Sequence, residues 1–161
     1  MLDIALKSDD TLIIAVTPAV TFLPGTAVVK NTPSGVLICK AAGSELHITL
    51  KGSSHWKSEK KALCKQPDVD SITVSVNYST ATHSIIGVIK VALTSLPKTH
   101  VSELTTIAQK DPIVLKGQPF DVQVSNDLKA MSPSDGSTDT NVYMGKVRVQ
   151  LADPKFYIKT A

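Results

Sequence analysis

Arginine is almost missing from this 161-residue chain. Arg148 is the only one, and every other basic residue apart from four histidines is lysine. Arginine is the commonest reader of base edges. With 17 basic and 14 acidic residues the formal charge is only +3, too weak for a surface that neutralises phosphates. No nucleic-acid partner is expected. Aromatic residues make up 4% of the chain against 42% hydrophobic residues, so the core has to be aliphatic. Charged residues are 19%, below the usual level of about 25%. No apolar run reaches the roughly 20 residues of a membrane helix, so no membrane insertion is expected. The apolar stretch Leu12 to Val16 is short. Asp3, Asp9 and Asp10 precede it without a basic leader. The sequence therefore reads as a protein made in the cytoplasm without a signal peptide. In that setting Cys39 and Cys64, which match no zinc spacing, are expected to be free thiols, with a disulfide as the alternative.

Recognisable catalytic patterns are missing as well. His47, His55, His83 and His100 form no HxH or HxxxH pair. No Gly-x-Ser-x-Gly elbow occurs, and no glycine-rich loop precedes a helix. A thiol dyad of Cys64 with His83 or His100 would have to be assembled by folding alone. Asp68 and Asp70 share one turn and do not face each other across a cleft, as glycosidase carboxyls must. Asp135 and Asp139 lack the regular acidic spacing of a calcium loop. Lys57, Lys60, Lys61 and Lys65 cluster, but Glu59 interrupts them, as on an ordinary solvated face. No enzyme activity, cofactor or metal is expected.

What the chain does have is strand grammar. Residues 36–51 read as a hairpin around Ala41-Ala42-Gly43-Ser44. Leu46, Ile48 and Leu50 lie on one face, and Glu45, His47, Thr49 and Lys51 on the other. Ile72, Val74, Val76 and Tyr78 repeat the alternation, as do Phe120, Val122 and Val124, and then Tyr143, Val147, Val149 and Leu151. The run Ile85 to Leu93 is almost continuously apolar and reads as a strand covered on both faces. Gly87 within it suggests a bulge or a close backbone approach, and Gly145 suggests another bulge. Helical character is confined to Trp56–Lys65 and Thr99–Gln109, with a turn at residues 67–70. About ten short strands separated by Gly, Pro and Asp turns predict an all-β single domain over residues 1–161. It is an antiparallel β-sandwich or small barrel with at most one or two short helices. No internal repeat of fixed period is visible. Residues 129–141 hold almost nothing apolar after Met131 and read as a flexible loop.

Candidate contact residues are Trp56, Met131, Asp135 and Tyr143, with Trp56 also suited to capping one end of the barrel. Leu2–Leu6 and Phe156–Ile158 could each add to a neighbour's sheet.

Three stretches carry a resemblance: AVTFLPGTAVV at residues 19–29, SGVLICK at 34–40 and IVLKGQPF at 113–120. With Gly35, Cys39 and the Leu115-Lys116-Gly117-Gln118 hairpin, they resemble small β-rich proteins encoded near bacterial phage-tail-like contractile injection and type VI secretion systems. The acidic turn of that pattern is replaced here by Ala41-Ala42-Gly43-Ser44. The resemblance covers under a third of the chain. It implies a non-catalytic structural or accessory component of such a particle, with protein partners that are identical copies or a larger assembly, reached by incorporation or non-classical export. An immunity-type or ligand-binding β-sandwich and a phage virion decoration protein are the alternatives.

Overall fold

The computed structural model describes residues 2–29, 35, 37–58, 60–93, 96–102, 112–152 and 157–159. The chain is all-β. One nine-stranded antiparallel sheet dominates it, built from β2 (Thr11–Thr17), β3 (Thr21–Phe22), β4 (Val28–Val29), β5 (Ile38–Ala42), β6 (Glu45–Thr49), β9 (Thr73–Ser79), β10 (Gly87–Ala92), β13 (Phe120–Leu128) and β14 (Met144–Gln150). Its order is β3-β9-β10-β13-β14-β2-β6-β5, with β4 also on β9. The two ends of this order meet: the Phe22 N–H at β3 donates to the Gly43 carbonyl beside β5 at 2.9 Å. The sheet is therefore a nearly closed barrel, which leaves little free edge for unwanted pairing.

Alternation explains the barrel. Leu12, Ile14 and Val16, Leu46 and Ile48, Val74, Val76 and Tyr78, and Ile89 and Val91 point inward and are buried, with Val147 among them. The intervening residues face out. The expected hairpin holds, but its turn is tighter than the sequence suggested. Only Gly43 and Ser44 lie outside the paired strands, and Gly43 takes φ +60°, which favours glycine. Gly87 marks a close approach: a Cβ there would sit 2.3 Å from the Leu128 carbonyl oxygen. The register between β10 and β13 also shifts at Val88/Ile89. Gly145 is not a bulge, since β14 pairs with β2 in unbroken register from Met144↔Thr17 to Gln150↔Thr11.

Three small two-stranded units lie outside the barrel: β1 (Leu2–Ile4) with β15 (Tyr157–Lys159), β7 (Lys57–Ser58) with β8 (Lys61–Ala62), and β11 (Val101–Ser102) with β12 (Ile113–Val114). They correct several expectations. Residues 56–65 form a hairpin, not a helix. Lys60 turns the chain at φ +67°, and the Leu63 N–H reaches back to the Trp56 carbonyl at 2.9 Å. The only α-helix among the described residues is α1 (Gln66–Asp70), where a turn was expected; Asp68 accepts the Lys65 N–H at 2.8 Å and starts it. Lys98–His100 is a single 3-10 turn, and the chain is extended again at Val101. The remainder of the expected second helix, residues 103–109, lies outside the described residues, as does Phe156. The terminal strands do not wait for a neighbour, because β1 and β15 pair with each other.

Candidate assembly site

The structural feature with functional content is a ring of backbone. Residues 4–8, 62–66 and 112–116 run past one another as three sides of a closed triangle. Ala5 bridges Leu115, Lys7 bridges Leu63 and Lys65 bridges Ile113. At its centre the Leu6 N–H donates to Val114 O (2.9 Å), the Val114 N–H to Cys64 O (2.9 Å) and the Cys64 N–H to Leu6 O (2.8 Å). An outer set repeats the cycle: Ser8 N–H to Ala62 O (3.0 Å), Gln66 N–H to Pro112 O (2.9 Å) and Lys116 N–H to Ile4 O (2.8 Å). Each segment makes the same bonds, in the same register, to the next.

The side chains follow the same rule. Leu6, Cys64 and Val114 are buried with the barrel core and seal one end of it. Ala5, Leu63 and Ile113, one residue earlier in each segment, form a second apolar cluster on the opposite face. Each segment then leads into a long barrel strand, β2, β9 or β13. A two-stranded unit stands at each: β1 and β8 lead into the first two segments, and β12 is part of the third. One of these, β1-β15, is made by bringing the two chain ends together. The chain is thus a threefold repeat closed on itself. The spacing of the three segments is unequal, so the sequence shows no repeat of fixed period.

The corners of the triangle are held by buried polar groups. Asp10 accepts the Lys7 N–H (3.0 Å) and the Ala152 N–H (2.8 Å). The Lys7 ammonium, fully buried like Asp10, lies 3.5 Å from that carboxylate and donates to the Ala152 carbonyl at 3.1 Å. Asp68 occupies the matching place in the second segment, taking the Lys65 N–H and both the N–H and the hydroxyl of Ser53 (2.9 and 2.8 Å). In the third segment the carboxylate is replaced. The Leu115 N–H goes to the His100 carbonyl at 2.7 Å, while His100 Nε2 donates to Gln118 O at 2.7 Å and its ring meets Phe120 edge-on. Gly117 at φ +55° is required there, because a Cβ would lie 2.5 Å from His100 Nε2. Burial pushes both thiols up, Cys39 to about 11 and Cys64 well above its ordinary value; both cysteines are free.

The far end of the barrel differs. Its three connections are residues 18–44, 80–86 and 129–143, unequal in length and structure. The last is anchored by Asp139, which is fully buried. Its carboxylate accepts the hydroxyls of Tyr78 (2.9 Å) and Tyr143 and the Asn141 N–H (3.0 Å), and its own N–H donates to the Ala130 carbonyl at 2.7 Å. Burial works to raise the Asp139 carboxyl, but the hydrogen bonds from Tyr143, Asn141 and Tyr78 outweigh it and hold the group below the usual carboxylate range. Tyr143 is correspondingly raised, by burial first and then by its bond to Asp139. Ile85, Ile86, Leu128, Met131, Val142 and Met144 are exposed around this end. Ile85 and Ile86 therefore depart from the doubly covered strand expected of that run.

The four candidate contact residues are not brought together. Trp56 is half-buried at the ring end against Ala5, Leu63 and Ile113, where it caps the second cluster. Met131 is exposed at the far end, bridged to Ile85 and Thr138. Asp135 is exposed in a tight turn and accepts the Ser137 N–H at 2.9 Å. Tyr143 is a core residue, with its ring edge-on to Tyr78 at 5.8 Å. Of the histidines, His47 lies 3.4 Å from Glu45, which also binds Arg148, and His83 contacts Thr82. Among the described residues no group of three or more His, Cys, Asp or Glu is placed to hold a metal. An open groove of about 350 Å³ on the outer barrel face is lined by Lys40, His47 and Gln150, among others. The sequence reading missed the ring. Its one trace is the shared spacing Lys7-x-x-Asp10 and Lys65-x-x-Asp68.

The family model of contractile injection system spike tip proteins matches residues 1–158. The chain belongs to this family. No curated protein matches it. Membership extends the resemblance noted at three short stretches to almost the whole chain, and it makes the protein a structural component that is incorporated in a particle. No helix among the described residues is long and apolar enough to cross a membrane.

Proposed function

We propose that the protein is a single-copy tip that sits on the axis of a spike whose shaft has threefold symmetry. The carrying observation is the backbone ring of residues 4–8, 62–66 and 112–116, in which one chain supplies three equivalent sides. A lone chain on a threefold axis meets three identical neighbours. It matches all of them only if it presents the same scaffold three times, and an ordinary asymmetric domain would satisfy one neighbour at the others' expense. Family membership supports the setting, since the family consists of spike tip proteins of contractile injection systems. The role asks for rigidity rather than chemistry. The nearly closed barrel, the sealed end and the buried Lys7–Asp10 and Asp139 clasps supply it.

Light scattering after size exclusion tests the symmetry argument. We expect a monomer near 17.1 kDa, because the three sides of the ring are already present in one chain. A stable homotrimer would contradict the reading, since self-association of this chain would then be the source of threefold symmetry.

A further inference from the structure

We propose that the ring end, and not the apolar far end, is the face that docks on the shaft, and that it meets an acidic surface there; this rests on the axial tip reading above. The two ends compete for the role, and the obvious candidate is the wrong one. Exposed apolar side chains at the far end attract attention, but they come from residues 85–86, 128–131 and 142–144. These belong to the second and third repeats, whereas the first repeat exposes Val28 and Ile38 on its own strands. The first repeat contributes a long excursion, residues 18–44, that carries three strands of its own. A threefold partner placed against that end would meet three different surfaces.

The ring end keeps the symmetry. Its three segments make the same backbone bonds to one another, and a two-stranded unit stands at each: β1-β15 and β7-β8 lead into the first two, while β12 of β11-β12 is part of the third. Trp56 is half-exposed there, and interfaces favour such an amphipathic aromatic. The charge of the described residues at this end is also unbalanced. Lys57, Lys60 and Lys98 are exposed, and no described acid pairs with them. The acids nearby are already engaged: Asp10 and Asp68 are buried in the corners, Asp9 binds Lys61 at 3.1 Å, and Asp3 accepts the Gly117 N–H at 3.1 Å. Lysines that no described acid engages fit carboxylates on the partner, and such complementarity sets both encounter rate and orientation.

Photo-crosslinking residues placed one at a time in assembled particles provide the test. Positions 57 on β7, 159 on β15 and 98 in the turn before β11 sample the ring end, and positions 86 and 142 sample the far end. We expect the three ring-end positions to capture the same polypeptide through the same peptide, because the three shaft chains are identical. The far-end positions should not capture it. Ring-end labels that fold, as judged by circular dichroism, yet fail to incorporate while far-end labels incorporate would support the same face. Capture of the shaft polypeptide only from 86 or 142 would overturn the docking face and leave the axial tip reading standing. Capture of three different polypeptides from 57, 98 and 159 would overturn both. For the charge argument, Lys57→Glu combined with Lys98→Glu should lower incorporation at least tenfold. Unchanged incorporation would exclude the acidic partner surface.

Discussion

The two ends of the barrel are built from the same three repeats and have opposite characters. At the ring end the backbone itself is the structure: short segments interlock through main-chain hydrogen bonds, and carboxylates fix two corners while the His100 carbonyl fixes the third. At the far end each connection goes its own way, and order depends on side chains, above all on Asp139 beneath residues 129–143. On the proposed reading, the symmetric parts serve an assembly that is itself symmetric. Connections that no symmetric neighbour constrains are free to differ in length and composition.

Substitutions can break this comparison at either end. The largest effect should come from Asp10→Ala. It strips the counter-charge from a fully buried lysine and leaves the Lys7 and Ala152 N–H groups without their acceptor. Breaking a buried ion pair from one side costs about 3–5 kcal/mol, and urea denaturation should show the whole domain losing that stability. Asp139→Ala should cost less, about 2–3 kcal/mol, by removing the acceptor of two tyrosine hydroxyls and of the Asn141 N–H. Its damage should be local, with faster hydrogen exchange confined to residues 129–143. Tyr143→Phe removes only one of these bonds, and about 1 kcal/mol should be lost.

Acid sharpens the same contrast. The folded Asp139 carboxyl titrates below its unfolded value. Its contribution is therefore complete above the unfolded pKa, about 3.9, and is lost as the pH falls through the lower folded value. Proteolysis at acid pH should cut the exposed turn at residues 133–137 faster than at neutral pH. Smallest of all should be Ile86→Ser, an exposed far-end change worth under about 0.5 kcal/mol in stability.

The barrel was legible in the sequence because burial of one face writes period-two alternation into the side chains, as in Leu46, Ile48 and Leu50 or Val74, Val76 and Tyr78. The ring was not legible, for a physical reason. Its bonds run between backbone groups, which every residue carries, so Ile-Ala-Leu-Lys-Ser, Ala-Leu-Cys-Lys-Gln and Pro-Ile-Val-Leu-Lys can play equivalent parts with almost no identity. The hairpin at residues 57–62 was hidden by good helix formers that Lys60, at positive φ, overrides. Composition marked residues 129–141 as polar, but it could not show that Asp139 turns inward to Tyr78 of β9 and to Tyr143, four residues further on.

The central claim is that one chain carrying three equivalent sides meets a threefold shaft, and copy number tests it most directly. Purified particles can be digested and quantified against isotope-labelled peptides of this chain and of the polypeptide captured at its ring end. We expect one copy of this chain for every three of the shaft polypeptide. Equal copy numbers would mean that three tips share the axis, and the internal repeat would then have no symmetric partner to match.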